Sequence, residues 1–184
     1  MGFEALVFDF FGVVCAEVSV GWFREHGLRD KKEHYDYLAD VGEEPQEALF
    51  DELAKLSGVP SAEIELDWNR RASLDTELLA LIGELHREYK IGLLSNAPSP
   101  FFRGILARGG IGSYFDAVVV SSEIRHVKPE PEAFHAVLEK LGVAPEKALM
   151  IDDNERNVEG AIKAGMAGYH FTSLAGLKQR LGRV

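Results

Sequence analysis

The chain has a single cysteine in 184 residues, Cys15, so no disulfide can form within it. A lone thiol fits a reducing compartment, and the cytoplasm is the expected location. No apolar run approaches the roughly 18–20 residues that a membrane-spanning helix requires. The opening MGFEALVFDF carries Glu4 and no basic stretch, so it does not read as a secretory signal. Basic residues are also scarce: 20 Lys+Arg stand against 30 Asp+Glu, a formal charge of −10. That balance argues against nucleic acid or an anionic membrane as a partner. Internal repeats and low-complexity tracts are missing too.

What remains is an ordinary globular composition, with 46% hydrophobic and 27% charged residues. A chain of this length buries about 70% of its unfolded surface, enough for a real core. The charge is uneven. Residues 16–75 hold 15 acidic and 7 basic side chains, a net of −8, whereas the remainder carries 15 and 13, a net of −2. Two regions with different tasks are implied, and the acidic one is a candidate surface for a protein partner.

Hydrophobic patterning divides the chain the same way. Leu6-Val7-Phe8 is a short apolar run suited to a buried strand and ends at Asp9. Residues 16–73 read as helical throughout, with Leu49, Phe50, Leu53 and Leu56 at helical spacing and breaks at Gly42 and Gly58-Val59-Pro60. From Asp75, a plausible N-cap, helices and strands alternate. Helices are expected over 75–89, 100–108, 131–141, 154–164 and 174–181, and strands over 91–94, 117–120, 148–151 and 169–171. Such alternation predicts a doubly wound, Rossmann-like α/β fold with a parallel five-stranded sheet. The division expected is an α/β core of residues 1–15 and 74–184, interrupted by a helical cap of residues 16–73.

Ligands of open α/β sheets bind beyond the carboxyl ends of the strands. Asp9, Ser95, Lys128 and the pair Asp152-Asp153 all fall at or just after such ends. Each alone suits a turn or a helix cap. Together, two carboxylate sites form a hard oxygen set of the kind Mg²⁺ uses, while a hydroxyl and a lysine suit a phosphate.

The order and wording of these segments resemble the haloacid dehalogenase-like (HAD) hydrolase superfamily. The matching stretches are Val7–Val14 around Asp9, Leu93–Asn96, Val127–Pro131, and Met150–Asn154 followed by Asn157–Ala161. The insert after the first motif resembles the small helical cap of subfamily IA. The double-Asp motif is similar to the branch holding glucose-1-phosphate phosphatases and the phosphatase domain of soluble epoxide hydrolase. The resemblance implies a Mg²⁺-dependent phosphatase acting on a small phosphorylated substrate. Asp9 is then the nucleophile that forms an aspartyl-phosphate, and Ser95 with the Asn96 backbone holds the phosphoryl group. Lys128 pairs with Asp9 and the phosphate. Mg²⁺ is bound by Asp9, the Phe11 carbonyl and Asp152, with Asp153 in or beside that set.

One position departs from the pattern. HAD phosphatases usually carry a second Asp two residues after the nucleophile, as general acid and base, and here Phe11 occupies it. Three readings follow. The chain is a phosphatase with a non-standard or water-mediated acid/base or with good leaving groups, or a phosphate- or protein-binding pseudoenzyme. The third is a metal-independent 2-haloacid dehalogenase, against which Asp152 and Asp153 count. A signalling receiver domain is disfavoured because its acidic pair follows the first strand.

Other conspicuous residues have plain explanations. Cys15 reads as a small apolar filler, and the six histidines show no zinc spacing. His126 suits a loop. Trp22, Phe23 and Trp68 fit helical packing as well as a substrate entrance, and Arg70-Arg71 fits a solvated helix face. The acidic run Asp36–Glu47 is expected on the surface.

Overall fold

The computed structural model describes residues 2–183. Strand β1 (Ala5–Phe8) is followed by helices α1 (Ser19–Glu25), α2 (Lys32–Asp40), α3 (Gln46–Ser57) and α4 (Ser61–Arg71). Alternation then begins: α5 (Thr76–Leu85), β2 (Lys90–Ser95), α6 (Ser99–Gly109), β3 (Ala117–Val120), a short α7 (Ser121–Ile124) and α8 (Pro131–Leu141). The chain closes with β4 (Ala148–Asp152), α9 (Glu155–Lys163), β5 (Ala167–His170) and α10 (Leu174–Arg180). The five strands form one parallel sheet in the order β3-β2-β1-β4-β5. β1 is central because its four residues are all fully buried, so both faces must be covered.

The period-2 alternation of β1 sends its side chains to two separate cores. Leu6 and Phe8 join Leu149 and Ile151 beneath α5, α6 and the helices of the 16–73 segment. Ala5 and Val7 join Met150 beneath α8 and α9, with Phe134, Val137 and Ala161. The sheet is therefore doubly wound, with helices on both faces.

Local chemistry sets the boundaries. The Asp75 carboxylate caps α5 by accepting the Leu78 N–H at 2.9 Å. Such a cap contributes about 1 kcal/mol. Asn154 caps α9 in the same way, accepting from Arg156 N–H at 3.0 Å. Left-handed Gly58, Gly110 and Gly142 close α3, α6 and α8. The last strand lies over Ala167–His170, two residues earlier at its start than the aromatic triplet Tyr169–Phe171 suggests. Gly168 belongs there because a Cβ would sit 2.7 Å from Val158 Cγ1 on α9, so close helix packing overrides strand propensity. Similarly, α5 stops at Leu85, short of the expected Tyr89.

Residues 16–73 contain helices and turns only. The segment leaves and rejoins the sheet through a narrow neck: Cys15 bridges Leu74, and the Ala16 N–H donates to the Ser73 carbonyl at 2.8 Å. Its apolar side chains do not form a separate core. Trp22, Phe23, Phe50, Leu53, Ile64 and Trp68 merge with the core on one face of the sheet. Trp22 and Phe23 are thus packing residues. No described helix is long and apolar enough to cross a membrane.

Cys15 is buried in the neck, and burial, with Glu17 nearby, pushes its thiol up to about 12. The reactive thiolate is then ~10⁻⁴ of the population at pH 8. Ellman's reagent is expected to find no reactive thiol in the native chain over an hour, and one per chain in guanidinium.

Candidate active site

The carboxyl ends of β1, β2 and β4 bring the expected residues together. β1 and β4 pair with Phe8 opposite Ile151, and the Asp9 N–H continues the ladder to the Ile151 carbonyl at 2.9 Å. This register places Asp9 beside Asp152. The Lys128 ammonium lies between them, 2.7 Å from Asp9 Oδ1 and 2.7 Å from Asp152 Oδ2. Lys128 and Asp152 side chains are 1% and 0% exposed, so this contact is shielded from water. Asp9 Oδ1 also accepts the Phe10 N–H, leaving Oδ2 directed to neither partner.

Surrounding residues fix both charges. Asp152 Oδ1 accepts the Asn154 N–H at 2.9 Å, and the Asn157 amide donates to both carboxylate oxygens at 3.1 and 3.2 Å. Asn96 brackets the Lys128 backbone: its Oδ1 accepts the Lys128 N–H at 2.8 Å and its Nδ2 donates to the Lys128 carbonyl at 2.9 Å. The sequence suggests a role for the Asn96 main chain, and the structure adds this side-chain clamp. Asn157 was visible only as part of a motif, with nothing local to show that it reaches back to Asp152.

Asp153 completes a triad of acids. One carboxylate oxygen from each of Asp9, Asp152 and Asp153 lies within 4.8 Å of the others. Gly12 makes room for this arrangement: it has φ +86°, and a Cβ there would meet Asp153 Oδ2 at 2.2 Å. Burial and the neighbouring Asp152 push Asp9 well above the usual carboxylate range, while Lys128 pulls the other way. Partial burial and Asp152 likewise raise Asp153. Burial opposes the charge on Lys128, but Asp152 and Asp9 overcome this and hold it above the usual lysine range. Three carboxylates thus face one ammonium. Hard oxygen donors with surplus negative charge fit Mg²⁺, and a divalent cation would relieve the repulsion that raises Asp9.

Ser95 ends β2 fully buried, and its hydroxyl has no hydrogen-bond partner among the described residues. A buried unpaired hydroxyl costs about 1–3 kcal/mol, so its retention calls for a ligand oxygen. Phe11 contributes its ring to the cavity wall, 6.1 Å from the stacked ring of Phe101.

A cavity of about 330 Å³ opens above this cluster. Its core wall carries Asp9, Phe11, Asn96, Lys128 and Asp153, and its opposite wall comes from the helical segment, including Glu17, Lys32, Asp36, Asp40 and Trp68. Placement of Asp36 and Asp40 here corrects the expectation that the whole Asp36–Glu47 run is solvated surface. α2 is oriented so that these two carboxylates, one turn apart, share the inward side. Trp68 is both packed and cavity-lining. His126 turns to Glu130, with Nδ1 3.0 Å from Oε2, and Arg71 bonds Asp67 and Glu25 on the surface.

Fold and site together define a doubly wound α/β protein with an aspartate–lysine–aspartate centre at the carboxyl ends of β1 and β4. The haloacid dehalogenase-like hydrolase family model matches residues 3–165, and the chain belongs to that family. It is 32% identical over 156 residues to a phosphoserine phosphatase of Thermus thermophilus, covering 84% of this chain and 57% of that enzyme. It is 30% identical over 95 residues to phosphoglycolate phosphatase of Escherichia coli K12, covering 48% of this chain and 38% of that enzyme. The chain thus spans about half the length, or less, of these curated relatives. A HAD family enzyme of Bacteroides thetaiotaomicron, solved with magnesium and inorganic phosphate, superposes with TM-score 0.78 at 25% identity, covering 96% of this chain and 99% of that one. L-2-haloacid dehalogenase of Xanthobacter autotrophicus shares the fold, with TM-score 0.70 at 24% identity over 98% of this chain and 82% of that one.

Removing the ammonium leaves buried carboxylates uncompensated. Lys128→Met is expected to cost about 3–5 kcal/mol of stability at pH 8, read from urea melts. The raised Asp9 fixes the sign. Its native form binds a proton more tightly than its unfolded form, so the variant regains stability as pH falls toward 5. Separately, Gly12→Ala displaces Asp153 and is expected to weaken Mg²⁺ binding at least tenfold by titration calorimetry, with little change in the fold.

Proposed function

We propose that this chain is a Mg²⁺-dependent phosphatase that hydrolyses a small phosphate ester through a phosphoryl group carried on Asp9. The observation that carries this reading is the arrangement at Asp9. One oxygen is held by Lys128 and the Phe10 N–H while the other is engaged by neither, and Asp9 lines a cavity that further acids share. An aspartate so oriented is a positioned nucleophile.

Asp9, Asp152 and Asp153, with the Phe11 carbonyl, would hold the cation. Bound Mg²⁺ supplies charge neutralisation to the phosphate. Ser95 would donate its orphaned hydroxyl to a phosphate oxygen, beside the Asn96 N–H. Lys128, fixed by Asn96, opposes the rise that burial and Asp152 impose on Asp9 and would offset charge on the transferring group. Residues 1–15 and 74–184 form the chemical core in this reading, and residues 16–73 act as a cap that selects the substrate. The phosphatase names of the two relatives and the magnesium and phosphate in the Bacteroides structure agree with it.

The test is a screen of small phosphomonoesters and acetyl phosphate with and without Mg²⁺. Phosphate release is expected to require the metal and to fall at least 10³-fold in Asp9→Asn. Chloride release from 2-chloropropionate without metal would overturn the proposal in favour of a dehalogenase. Binding of inorganic phosphate without turnover of any ester would leave a binding protein instead.

A further inference from the structure

Cleaving a phosphate ester requires a proton for the leaving oxygen, and hydrolysing an aspartyl-phosphate requires removal of a proton from water. The residues after Asp9 are Phe10, Phe11 and Gly12, and none can exchange a proton from its side chain. On the core side the remaining acids are committed. Asp152 accepts bonds from Lys128, Asn154 and Asn157, and Asp153 belongs to the acid triad with Asp9 and Asp152. The opposite wall is where the cavity offers further side chains able to exchange a proton.

That wall offers Glu17, Asp36 and Asp40. Asp36 is tied to Lys32 and reached by the Ser19 hydroxyl at 3.5 Å. Glu17 is largely exposed. The Asp40 carboxylate has no hydrogen-bond partner among the described residues, yet its position is well fixed. Its carbonyl accepts a hydrogen bond from the Ser121 hydroxyl, and Ser121 Oγ accepts the Ala97 N–H at 3.0 Å. Ala97 follows Ser95-Asn96 directly, so one hydroxyl joins the end of α2 to the loop beside the site. Gly42 permits the approach: a Cβ there would lie 2.6 Å from the Ser122 carbonyl. Asp40 lines a second recess together with Asn96 and Lys128, which places it on the active-site side of α2.

We propose that Asp40 is the catalytic acid and base of this site, supplying from the helical insert the function that Phe11 lacks. The proposal rests on the phosphatase reading above. In the first step Asp9 Oδ2 bonds to phosphorus, the bond from phosphorus to the ester oxygen breaks, and the Asp40 carboxyl proton passes to that oxygen. In the second, the Asp40 carboxylate takes a proton from water as the water oxygen bonds to phosphorus. The bond from phosphorus to Asp9 then breaks, releasing phosphate and restoring both aspartates. The surroundings suit a group that must hold a proton at neutral pH. Burial and the neighbouring Asp36 push Asp40 well above the usual carboxylate range, with Glu17 acting in the same sense and Lys32 and Lys128 opposing. Asp40 is also the last residue of α2, where the helix dipole disfavours negative charge.

The test uses Asp40→Asn, which mimics the protonated form in size and charge, on 4-nitrophenyl and phenyl phosphate with Mg²⁺. With phenyl phosphate, whose leaving group needs the proton, turnover is expected to fall about 10²–10⁴-fold. With 4-nitrophenyl phosphate the first step changes less than tenfold, and a stoichiometric burst of nitrophenol appears because the aspartyl-phosphate no longer hydrolyses readily. Adding Phe11→Asp to Asp40→Asn is expected to recover phenyl phosphate turnover and abolish the burst. Equal losses on both substrates with no burst would reduce Asp40 to a structural role and overturn the proposal, as would wild-type rates in Asp40→Asn. If the wild-type chain releases no phosphate from either ester, the phosphatase reading fails and this one with it. Normal release by both chains removes this one alone.

Discussion

The contact on which the site depends is the buried ammonium of Lys128 between Asp9 and Asp152. Removing ions from water costs several kcal/mol each, and that penalty is offset only by close, well-oriented partners. Distances of 2.7 Å on both sides meet the requirement. Much of the local sequence serves this geometry. Parallel pairing of β1 with β4 sets the two aspartates side by side, Asn96 clamps the lysine backbone, and Asn154 and Asn157 saturate Asp152. Asp9 receives fewer bonds than Asp152. The asymmetry separates a carboxylate held as structure from one left able to react.

A second constraint is aromatic. Phe10 packs against Phe102 at 4.8 Å, Phe11 against Phe101 at 6.1 Å, Phe101 against Trp68 at 5.9 Å, and Trp68 against Phe50 at 5.4 Å. This chain of rings runs from the end of β1 into α4 and α3. Each ring buries a large apolar area and prefers the edge-on and offset geometries seen here. The helical segment therefore has no interior independent of the sheet. Phe11 lies within that chain, so apolar packing occupies the position two residues after Asp9.

The elements read well from sequence because their signals are local. Helices α5, α8 and α9 carry their own caps and periodic apolar faces, and β1 to β4 are short apolar runs ending at polar residues. The motif residues converge because strand ends in a parallel sheet converge. Illegible features depend on tertiary contact. β5 is Ala-Gly-Tyr-His, a strand by virtue of its neighbours rather than its composition. Asp40 looks like one more acid in a charged helix, and no pattern of period 3.6 reveals that its side of α2 faces a cavity. The Ser121 link between residues 40 and 97 joins positions far apart in sequence and carries no motif at all.

The distribution of charge then takes on a different meaning. Most of the formal −10 resides in the helical segment, but part of it is turned inward rather than left in solvent. An anionic substrate would be repelled by a wall of ionised Glu17, Asp36 and Asp40 with only Lys32 in compensation. Burial raises Asp36 and Asp40, so protonation can relieve the repulsion. Lys32 keeps Asp36 paired, and Glu17 is exposed, which leaves Asp40 as the carboxyl without a hydrogen-bond partner among the described residues and with a proton to exchange. On the proposed mechanism, the proton that reduces repulsion of the substrate is also the one delivered to the leaving oxygen. The site is then complete only when α2 rests on Ser121 at the start of α7, which makes the seating of the helical segment part of the chemistry.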